Sequence, residues 1–377
     1  MNRLRIVLLA HYAPSLVNFR GPLIQALVER GHEVFALAPD FDVKIEEKVR
    51  ALGAVPLPYS LSRTGLNPLR DGLDFLRLCR MLRRLKPDLV FAYTIKPVIY
   101  GTLASWLVGV PWRFAMIEGL GYTFTASGEK ETWKKRILKR LVRFLYALAL
   151  PRATKVFFLN RDDLAEFASL RIIDPGRAFL LGPIGVDLEH FAFVPPVKDP
   201  VTFIFIARLL REKGILEFVE AARKIKVKYP ETRFVVLGGL DTNPGAIPQA
   251  QVESWVKEGI IEWPGHVEDV RPWIAQASVF VLPSYYREGV PRTIQEAMAM
   301  GRTVITTDVP GCRDTIIDGC NGFLVPPRDV EALARAMEHF ILEPELIERM
   351  GRESRRIAEE RFDVHKINAV ILREMGL

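Results

Sequence analysis

The alternation of short apolar strands with helical stretches constrains this chain more than any other feature of its sequence. Up to about Gly182, runs of apolar residues recur with amphipathic stretches between them, as in RIVLLAH, HEVFALAP, VPLPYS, DLVFAYT, WRFAMIEG, KVFFLN and AFLLG. Parallel strands need a crossover connection, usually a helix, and strands covered on both faces appear as continuous apolar runs. The first half is therefore predicted to form a parallel sheet with helices on both faces.

The same alternation restarts after the proline-rich segment Val194 to Pro200. The predicted strands of this second half are VTFIFIA, RFVVLG, IEWPG, VFVLP, TVITT and GFLVP. A chain of 377 residues is also too long for one ordinary core. We expect an α/β protein with two doubly wound, Rossmann-like domains, over residues 1–190 and 195–361, that bind ligands at the carboxyl ends of their strands.

Composition limits the cellular compartment and the binding partners that we expect for this protein. Cys79, Cys312 and Cys320 show no metal-ligand spacing, which suits a reducing cytoplasm. The apolar run within the first ten residues is too short for a secretory signal and is predicted to be the first strand. Residues 1–190 hold 28 Lys and Arg against 18 Asp and Glu, a net charge of +10, whereas the remainder has −3. Because no nucleic-acid-binding motif is present, we expect an acidic substrate or anionic lipid and no nucleic acid.

The stretch EGVPRTIQEAMAMG, Glu288 to Gly301, follows a predicted strand and opens a predicted helix. Unpaired N–H groups at a helix amino terminus attract anions, so this turn is predicted to bind a diphosphate. The residues expected to bind the donor there are Gly289, Val290, Pro291, Arg292 and Thr293. A carboxylate binds adjacent hydroxyls, so Glu288 would bind a hexose and Glu296 a ribose. The alternative is two solvated glutamates at an ordinary helix start.

The Glu-x7-Glu pattern resembles the signature of retaining, nucleotide-sugar-dependent glycosyltransferases of family four. The upstream stretch IARLLREKG resembles a second hallmark of that family, in which Arg208 and Lys213 would flank the diphosphate. Two basic residues in a loop are otherwise usually just solvated. The similarity runs over almost the whole chain. It implies the GT-B fold, in which two Rossmann-like domains face each other across a cleft and the final helix, 362–377, crosses back to the first domain.

The resemblance also implies roles for residues at other strand ends. The backbone around His266 and Val267 would hold the nucleotide base, and Gly238 lies at another strand end of the donor-binding domain. In the stretch SLVNFRGP, the backbone at Asn18 and Gly21 would lie against the diphosphate. Family members more often have a pair of glycines in that stretch, and this chain has one.

Glu118 is a departure from the family, many members of which have a histidine near this position. A carboxylate there would bind a sugar hydroxyl or orient the acceptor, while Gly119 and Gly121 would let the backbone approach the ligand closely. The alternative is a glutamate at a strand end beside a glycine-rich turn. A subgroup acting on polyprenyl-diphosphate-linked sugars, with N-acetylgalactosaminyltransferases among its members, has a similar GLG stretch. Its NFR and KP loops resemble Asn18 to Arg20 and Lys96 to Pro97, so Lys96 is expected near the acceptor.

The stretch Glu131 to Leu150 has the pattern of a basic amphipathic helix. Trp133, Ile137 and Leu141 recur at helical spacing, and the positions between them carry Lys134, Lys135, Arg136, Lys139, Arg140 and Arg143. Such a helix suits an anionic membrane surface. The alternative is a domain helix with a solvated basic face. No run approaches the roughly 20 apolar residues that span a bilayer.

These features predict a peripheral enzyme at the cytoplasmic face of the inner membrane. It would transfer a hexose, preferably an N-acetylhexosamine, from a UDP-sugar to a polyprenyl-diphosphate-linked glycan. Arg208, Lys213 and the helix amides would stabilise the leaving diphosphate, so neither a metal nor a cofactor is expected. Two alternatives remain open: a soluble enzyme of this fold that acts on a small molecule or a glucan, and a non-catalytic sugar-binding protein.

Overall fold

A computed structural model describes residues 3–61, 68–125, 132–241 and 243–377. These residues divide into two compact units. Unit 1 takes in residues 3–61, 68–123, 132–184 and 365–377, and unit 2 takes in residues 124–125, 185–241 and 243–364. Met1, Asn2 and the first residue of the predicted basic helix, Glu131, lie outside the described residues.

Unit 1 is built on a parallel sheet. Its strands within the described residues are β1 (Arg5–Leu9), β2 (Glu33–Ala38), β3 (Val55–Pro58), β4 (Leu89–Tyr93), β5 (Trp112–Ile117), β6 (Lys155–Phe158) and β7 (Ala178–Leu180). Their order across the sheet is β3-β2-β1-β4-β5-β6-β7. The order reverses between β1 and β4, and doubly wound sheets bind ligands at such a switch point, outside the carboxyl ends of the strands.

Helices connect these strands and cover the sheet. They are α1 (Pro14–Asn18), α2 (Gly21–Glu29), α3 (Val43–Ala51), α4 (Pro68–Leu85), α5 (Thr102–Leu107), α6 (Gly121–Phe124), α7 (Trp133–Ala149) and α8 (Arg161–Ser169). A π-helical turn, Pro97–Gly101, precedes α5. Side-chain caps begin several of the helices, as the Asp42 side chain does by accepting from the amide of Ile45 at the start of α3.

Unit 2 repeats this architecture. Its strands in the described part of the chain are β8 (Thr202–Ile206), β9 (Arg233–Leu237), β10 (Glu262–Gly265), β11 (Val279–Leu282), β12 (Thr303–Thr307) and β13 (Gly322–Val325), in the order β10-β9-β8-β11-β12-β13. Its helices are α9 (Ile215–Lys228), α10 (Gln249–Lys257), α11 (Arg271–Ala275), α12 (Arg292–Ala299), α13 (Val330–Leu342) and α14 (Glu345–Arg361). The switch point of this sheet lies between β8 and β11.

The last helix, α15 (Val364–Met375), begins at the end of unit 2 and has residues 365–375 in unit 1. Within unit 1, the Glu374 carboxylate lies 2.6 Å from Lys155 Nζ on β6.

The core of unit 2 shows how the sequence pattern becomes packing. Ile294, Ala297 and Met298 are fully buried on α12, as the apolar stripe of that helix predicts. Helix α12 begins at Arg292, one residue after the expected Pro291, and Gly301 follows its end with a φ of +80°. The prediction of two doubly wound α/β units is confirmed.

Candidate active site

The loops that follow β8 and β11 meet at the switch point of unit 2. Lys213 ends a 3₁₀ turn, Arg211–Lys213, after β8, and Glu288 lies between β11 and α12. The Lys213 ammonium and the Glu288 carboxylate form an ion pair, and their side chains are only 13% and 11% exposed. The Ser284 hydroxyl also donates to Glu288 Oε1, at 3.1 Å. The sheet order therefore brings together two predicted site residues that are distant in sequence.

Gly214 lets these two loops approach each other. It has a φ of +81° between the Lys213 turn and α9, and a Cβ at this position would collide with the carbonyl oxygen of Pro283. Only glycine satisfies both conditions without strain. The Tyr285 amide donates to the carbonyl of Glu212 at 2.9 Å and ties the loops together next to Lys213.

Arg208 lies in the same group of loops. Its guanidinium donates to Asp241 Oδ2 at 2.8 Å, and Asp241 lies in the loop that follows β9. The sequence reasoning did not assign Asp241 to the site. The only indication in the sequence is that Asp241 is an acidic residue in the loop after β9, the strand next to β8, which precedes Arg208.

Arg292 and Thr293 begin α12, and Glu296 follows one turn later. Arg292 Nε donates to Glu296 Oε1 at 2.8 Å, so these two charges pair within the helix. Burial raises the pKa of the Glu296 carboxyl above its usual value, and the charges of Arg292 and His190 oppose that rise. The preceding Gly289 and Val290 are buried. The first N–H groups of a helix have no partner within the helix, so this end of α12 suits an anion.

Gly238, His266 and Val267 lie at the ends of β9 and β10. The Gly238 amide donates to the carbonyl of Gly265 at 2.9 Å, and Trp263 Nε1 donates to the carbonyl of Gly238 at 3.0 Å. The two loops are therefore neighbours on the sheet edge that carries Arg208 and Lys213. His266 is exposed there.

In unit 1, Glu118 follows β5 and forms an ion pair with Arg20. Arg20 is almost fully buried, and its guanidinium lies 4.8 Å from the centre of the Tyr93 ring. Burial raises the pKa of the Glu118 carboxyl, and the Arg20 charge opposes this. The sequence reasoning named Arg20 only as the end of a similar loop and did not predict that it neutralises Glu118.

We expect Arg20→Ala to lower the free energy of unfolding by about 3 kcal/mol at pH 7.5, because it leaves a buried carboxylate without its cation. Without Arg20, the pKa of Glu118 in the folded protein rises further above its unfolded value. The destabilisation should therefore be smallest below the ordinary carboxyl pKa and should grow as the pH rises. Urea unfolding of both proteins at pH 5 and pH 7.5 measures this difference.

The matched control for that experiment is the double variant Arg20→Ala with Glu118→Gln. It removes the charge that Arg20 neutralises, so it should regain stability relative to Arg20→Ala at pH 7.5. A destabilisation that is equal at both pH values would mean that Arg20 acts through packing alone.

Asn18 and Gly21 lie at the junction of two helices. Asn18 is the last residue of α1, and Gly21 is the first residue of α2. Pro14 fits the first turn of a helix, and the amides of Ser15 and Leu16 donate to carbonyls of the preceding turn, at 3.1 and 3.0 Å. The backbone amides of Ser15 and Leu16 are therefore already hydrogen-bonded within α1 and the turn before it.

The remaining predicted acceptor residues of unit 1 follow β4 and β5. Gly119 and Gly121 have φ values of +97° and +64°, in the left-handed region that favours glycine. Lys96 precedes the π-helical turn, and its Nζ lies 2.9 Å from Asp71 Oδ1 on α4. Lys96 thus links the carboxyl edge of the sheet to α4.

Helix α7 has an apolar stripe that faces outward. Trp133 and Ile137 are 66% and 54% exposed, and Leu141 and Phe144 are also exposed. Arg140 is exposed and Lys139 is half-buried. Lys135 contradicts the prediction of an exposed basic face, because its side chain is buried on the side of α7 that also buries Val142, Tyr146 and Ala149. Within the described residues, no helix is long and apolar enough to cross a bilayer.

Among the described residues, no group of three or more His, Cys, Asp or Glu side chains could hold a metal ion. The sequence does contain one Asp-x-Asp, Asp40 to Asp42. Asp40 Oδ1 accepts from the amide of Ala13, and Asp42 Oδ1 accepts from the amide of Ile45, each at 2.7 Å. These two carboxylates therefore stabilise backbone turns.

Fold and site together define a glycosyltransferase of the GT-B class. The family model described as "Glycosyl transferase 4-like domain" matches residues 19–183, and the model "Glycosyl transferases group 1" matches residues 200–343. The chain belongs to the family-four glycosyltransferases, as the Glu-x7-Glu pattern indicates.

Two relatives illustrate this membership. N,N'-diacetylbacillosaminyl-diphospho-undecaprenol alpha-1,3-N-acetylgalactosaminyltransferase of Campylobacter jejuni is 30% identical over 91% of this chain and 90% of its own length. UDP-Gal:alpha-D-GlcNAc-diphosphoundecaprenol alpha-1,3-galactosyltransferase of Escherichia coli is 24% identical over 84% of each chain. Among solved structures, HepE from Anabaena in complex with UDP and glucose superposes with a TM-score of 0.77, at 16% identity, over 99% of this chain and 100% of that chain.

Proposed function

We propose that this enzyme transfers a hexose, preferably an N-acetylhexosamine, from a UDP-sugar to a polyprenyl-diphosphate-linked glycan at the cytoplasmic face of the membrane. The observation that carries this proposal is the meeting of Lys213, Glu288 and the amino terminus of α12 at one switch point. The names of the two relatives support a lipid-linked acceptor, since both specify a diphospho-undecaprenol substrate.

The proposed reaction retains the configuration of the sugar and separates charge. An oxocarbenium-like transition state places positive charge on the sugar ring and negative charge on the departing diphosphate. Arg208, Lys213 and the first amides of α12 would stabilise the diphosphate without a metal ion. Glu288 and Glu296 would bind hydroxyls of the hexose and the ribose, so neither of them is assigned as a nucleophile. The leaving phosphate itself would take the proton of the acceptor hydroxyl.

The acceptor side of the proposal rests on unit 1. Glu118, held by Arg20, lies after β5 beside the Gly119 turn, where it would orient an acceptor hydroxyl. The outward apolar stripe of α7 would bring the enzyme to the membrane that carries the acceptor. A soluble enzyme of the same fold has no need of this stripe.

A screen of UDP-sugars against extracted polyprenyl-diphosphate glycans tests the proposal directly. Mass spectrometry of the lipid product should show the addition of one hexose or N-acetylhexosamine. Transfer only to a small molecule or a glucan would favour the soluble alternative. Absence of transfer from every nucleotide-sugar would contradict the proposal.

We expect Arg208→Ala to weaken UDP binding by roughly tenfold or more, because it removes a charge-assisted hydrogen-bond donor from the diphosphate site. Isothermal titration calorimetry with UDP measures the change. Arg223→Ala is the matched control, because Arg223 pairs with Glu258 on the outer surface of the same unit. Equal affinities of the two variants for UDP would remove Arg208 from the diphosphate site.

A further inference from the structure

Unit 1 contains an apolar cavity of about 300 Å³ between α4, the start of α5 and α7. Its walls are almost entirely carbon, and the side chains or backbone that line it include Gly72, Phe75, Tyr100, Leu103, Leu141 and Leu145. The cavity is open to the surface on one side. Lipid and small-molecule sites are clefts of this size and chemistry.

The lining of the cavity includes one charged residue, Asp71, and its charge is paired. Asp71 is buried, with its Oδ1 at 2.9 Å from Lys96 Nζ and its Oδ2 at 3.3 Å from the Tyr100 hydroxyl. Lys96 lies in the segment after β4, three residues beyond Tyr93, and β4 borders the switch point of this sheet. The Asp71–Lys96 ion pair therefore links a lining residue of the cavity to the segment that follows β4.

The surface around the cavity is apolar and basic. Leu73 and Leu76 are exposed on α4, and Ile137 and Phe144 are exposed on α7. The exposed cations on the same two helices are Arg70, Arg77, Arg80, Arg83, Arg84, Lys134, Arg136 and Arg140. Exposed apolar side chains on helices that also carry exposed cations favour interaction with an anionic amphiphile.

We propose that this cavity binds the first isoprene units of the acceptor's polyprenyl chain, next to its diphosphate. The inference rests on the proposed function and assigns a place to the lipid portion of that acceptor. An apolar cavity of about 150 Å³ holds one benzene molecule, so this cavity holds about two five-carbon isoprene units. The rest of the chain would remain in the bilayer that α7 contacts.

Charge favours the diphosphate-linked chain over a phospholipid acyl chain. An acyl chain starts at an uncharged ester within the bilayer, whereas a polyprenyl diphosphate carries its charges at the first isoprene unit. The two helices that line the cavity, α4 and α7, carry exposed cations, and Lys96 pairs with the lining residue Asp71, so this part of unit 1 offers positive charge to such a head group. The branched, unsaturated chain also fills a wide cavity better than a straight one.

Calorimetric titration of the full-length protein with geranyl diphosphate tests this inference without any need for the sugar donor. Geranyl diphosphate should bind at least about tenfold more tightly than inorganic diphosphate, because its two isoprene units leave water. Farnesyl diphosphate should add little, since the third unit exceeds the cavity. Decyl diphosphate, with the same number of carbons in a straight chain, should bind more weakly than geranyl diphosphate.

Gly72→Trp is designed to occupy the cavity, because Gly72 is one of its lining residues. A Cβ at Gly72 meets no atom within 4 Å, and replacing glycine within α4 favours the helix. The variant should bind geranyl diphosphate no more tightly than inorganic diphosphate. Val227→Trp, which adds the same side chain at an exposed position of α9, is the matched control and should bind like the wild type. If Gly72→Trp fails to fold, Gly72→Leu provides a smaller filling group.

The outcomes separate this inference from the proposed function. Equal wild-type affinity for geranyl diphosphate and inorganic diphosphate would overturn the cavity assignment, even if sugar transfer to a lipid acceptor is observed. Unchanged geranyl binding by folded Gly72 variants would overturn it as well. Equal binding of decyl and geranyl diphosphate would overturn the assignment of the cavity to a polyprenyl chain. Selective geranyl binding that these variants abolish would support the inference even where no transferase activity is found.

Discussion

Lys213→Ala should lower turnover by about a hundredfold, which corresponds to roughly 3 kcal/mol of lost transition-state stabilisation. Lys213 lies at the switch point of unit 2, where its ammonium would meet the charge that develops on the departing diphosphate. The loss should appear mainly in kcat, because that charge is larger in the transition state than in the bound donor. Initial rates with the donor identified by the UDP-sugar screen measure the effect.

The control for Lys213→Ala is Lys224→Ala, which removes a lysine from an exposed ion pair with Glu331 in the same unit. Its turnover should stay at the wild-type level. Because Lys213 pairs with Glu288, thermal unfolding must be measured beside turnover, and Lys213→Met keeps the apolar stem if the alanine variant is unstable. A folded variant with wild-type turnover would exclude Lys213 from the catalytic machinery.

Changing Trp133, Ile137 and Leu141 together to serine should release the protein from anionic vesicles. Each of these side chains contributes about 1.5–3 kcal/mol when it leaves water, and the basic residues alone give a salt-sensitive attraction. Transfer to a short, water-soluble acceptor should persist, because the donor-site residues belong to unit 2. Transfer to a long-chain lipid acceptor should fall steeply. Flotation with phosphatidylglycerol vesicles and paired acceptor assays measure both effects.

A triple variant of Val43, Val227 and Leu342 to serine is the matched control, because these residues are also exposed and apolar but lie outside α7. It should float like the wild type. The exposure of the α7 stripe predicts that the test variant folds. If the variant of Trp133, Ile137 and Leu141 unfolds, the apolar stripe of α7 is part of the core. If that variant folds and still floats with the vesicles, the membrane contact lies elsewhere on the protein.

The regular elements of this fold are predictable because their signals are local. The first predicted strand is β1, and α12 begins one residue after the expected Pro291. Helix α7 illustrates what local sequence cannot predict. Its sequence reveals an apolar stripe and many cations, but which side packs inward depends on neighbouring elements. The structure buries Lys135 on the packed side and exposes Trp133, an arrangement that helical periodicity alone does not determine.

The sequence identifies candidate site residues but not the contacts that they make with each other. The Glu-x7-Glu pattern and the preceding strand identify Glu288 as a candidate, because the order of the elements and the start of a helix can be predicted from local sequence. The contacts of Glu288 with Lys213, and of Arg208 with Asp241, depend on strand order across the sheet and on loop conformation. Arg20 was missed for the same reason, since its partner Glu118 follows a strand that comes much later in the chain.

The ion pairs of the donor site have a consequence for selectivity. Lys213, Arg208 and Arg292 each lie against a carboxylate of their own unit, so the local charges nearly cancel. A free phosphate ion must compete with a carboxylate for each cation and gains little. A nucleotide-sugar offers phosphate oxygens to the cations and hydroxyls to the displaced carboxylates in the same event. If these residues bind the donor as proposed, such exchange would favour a ligand that carries both groups over the inorganic anions of a cell.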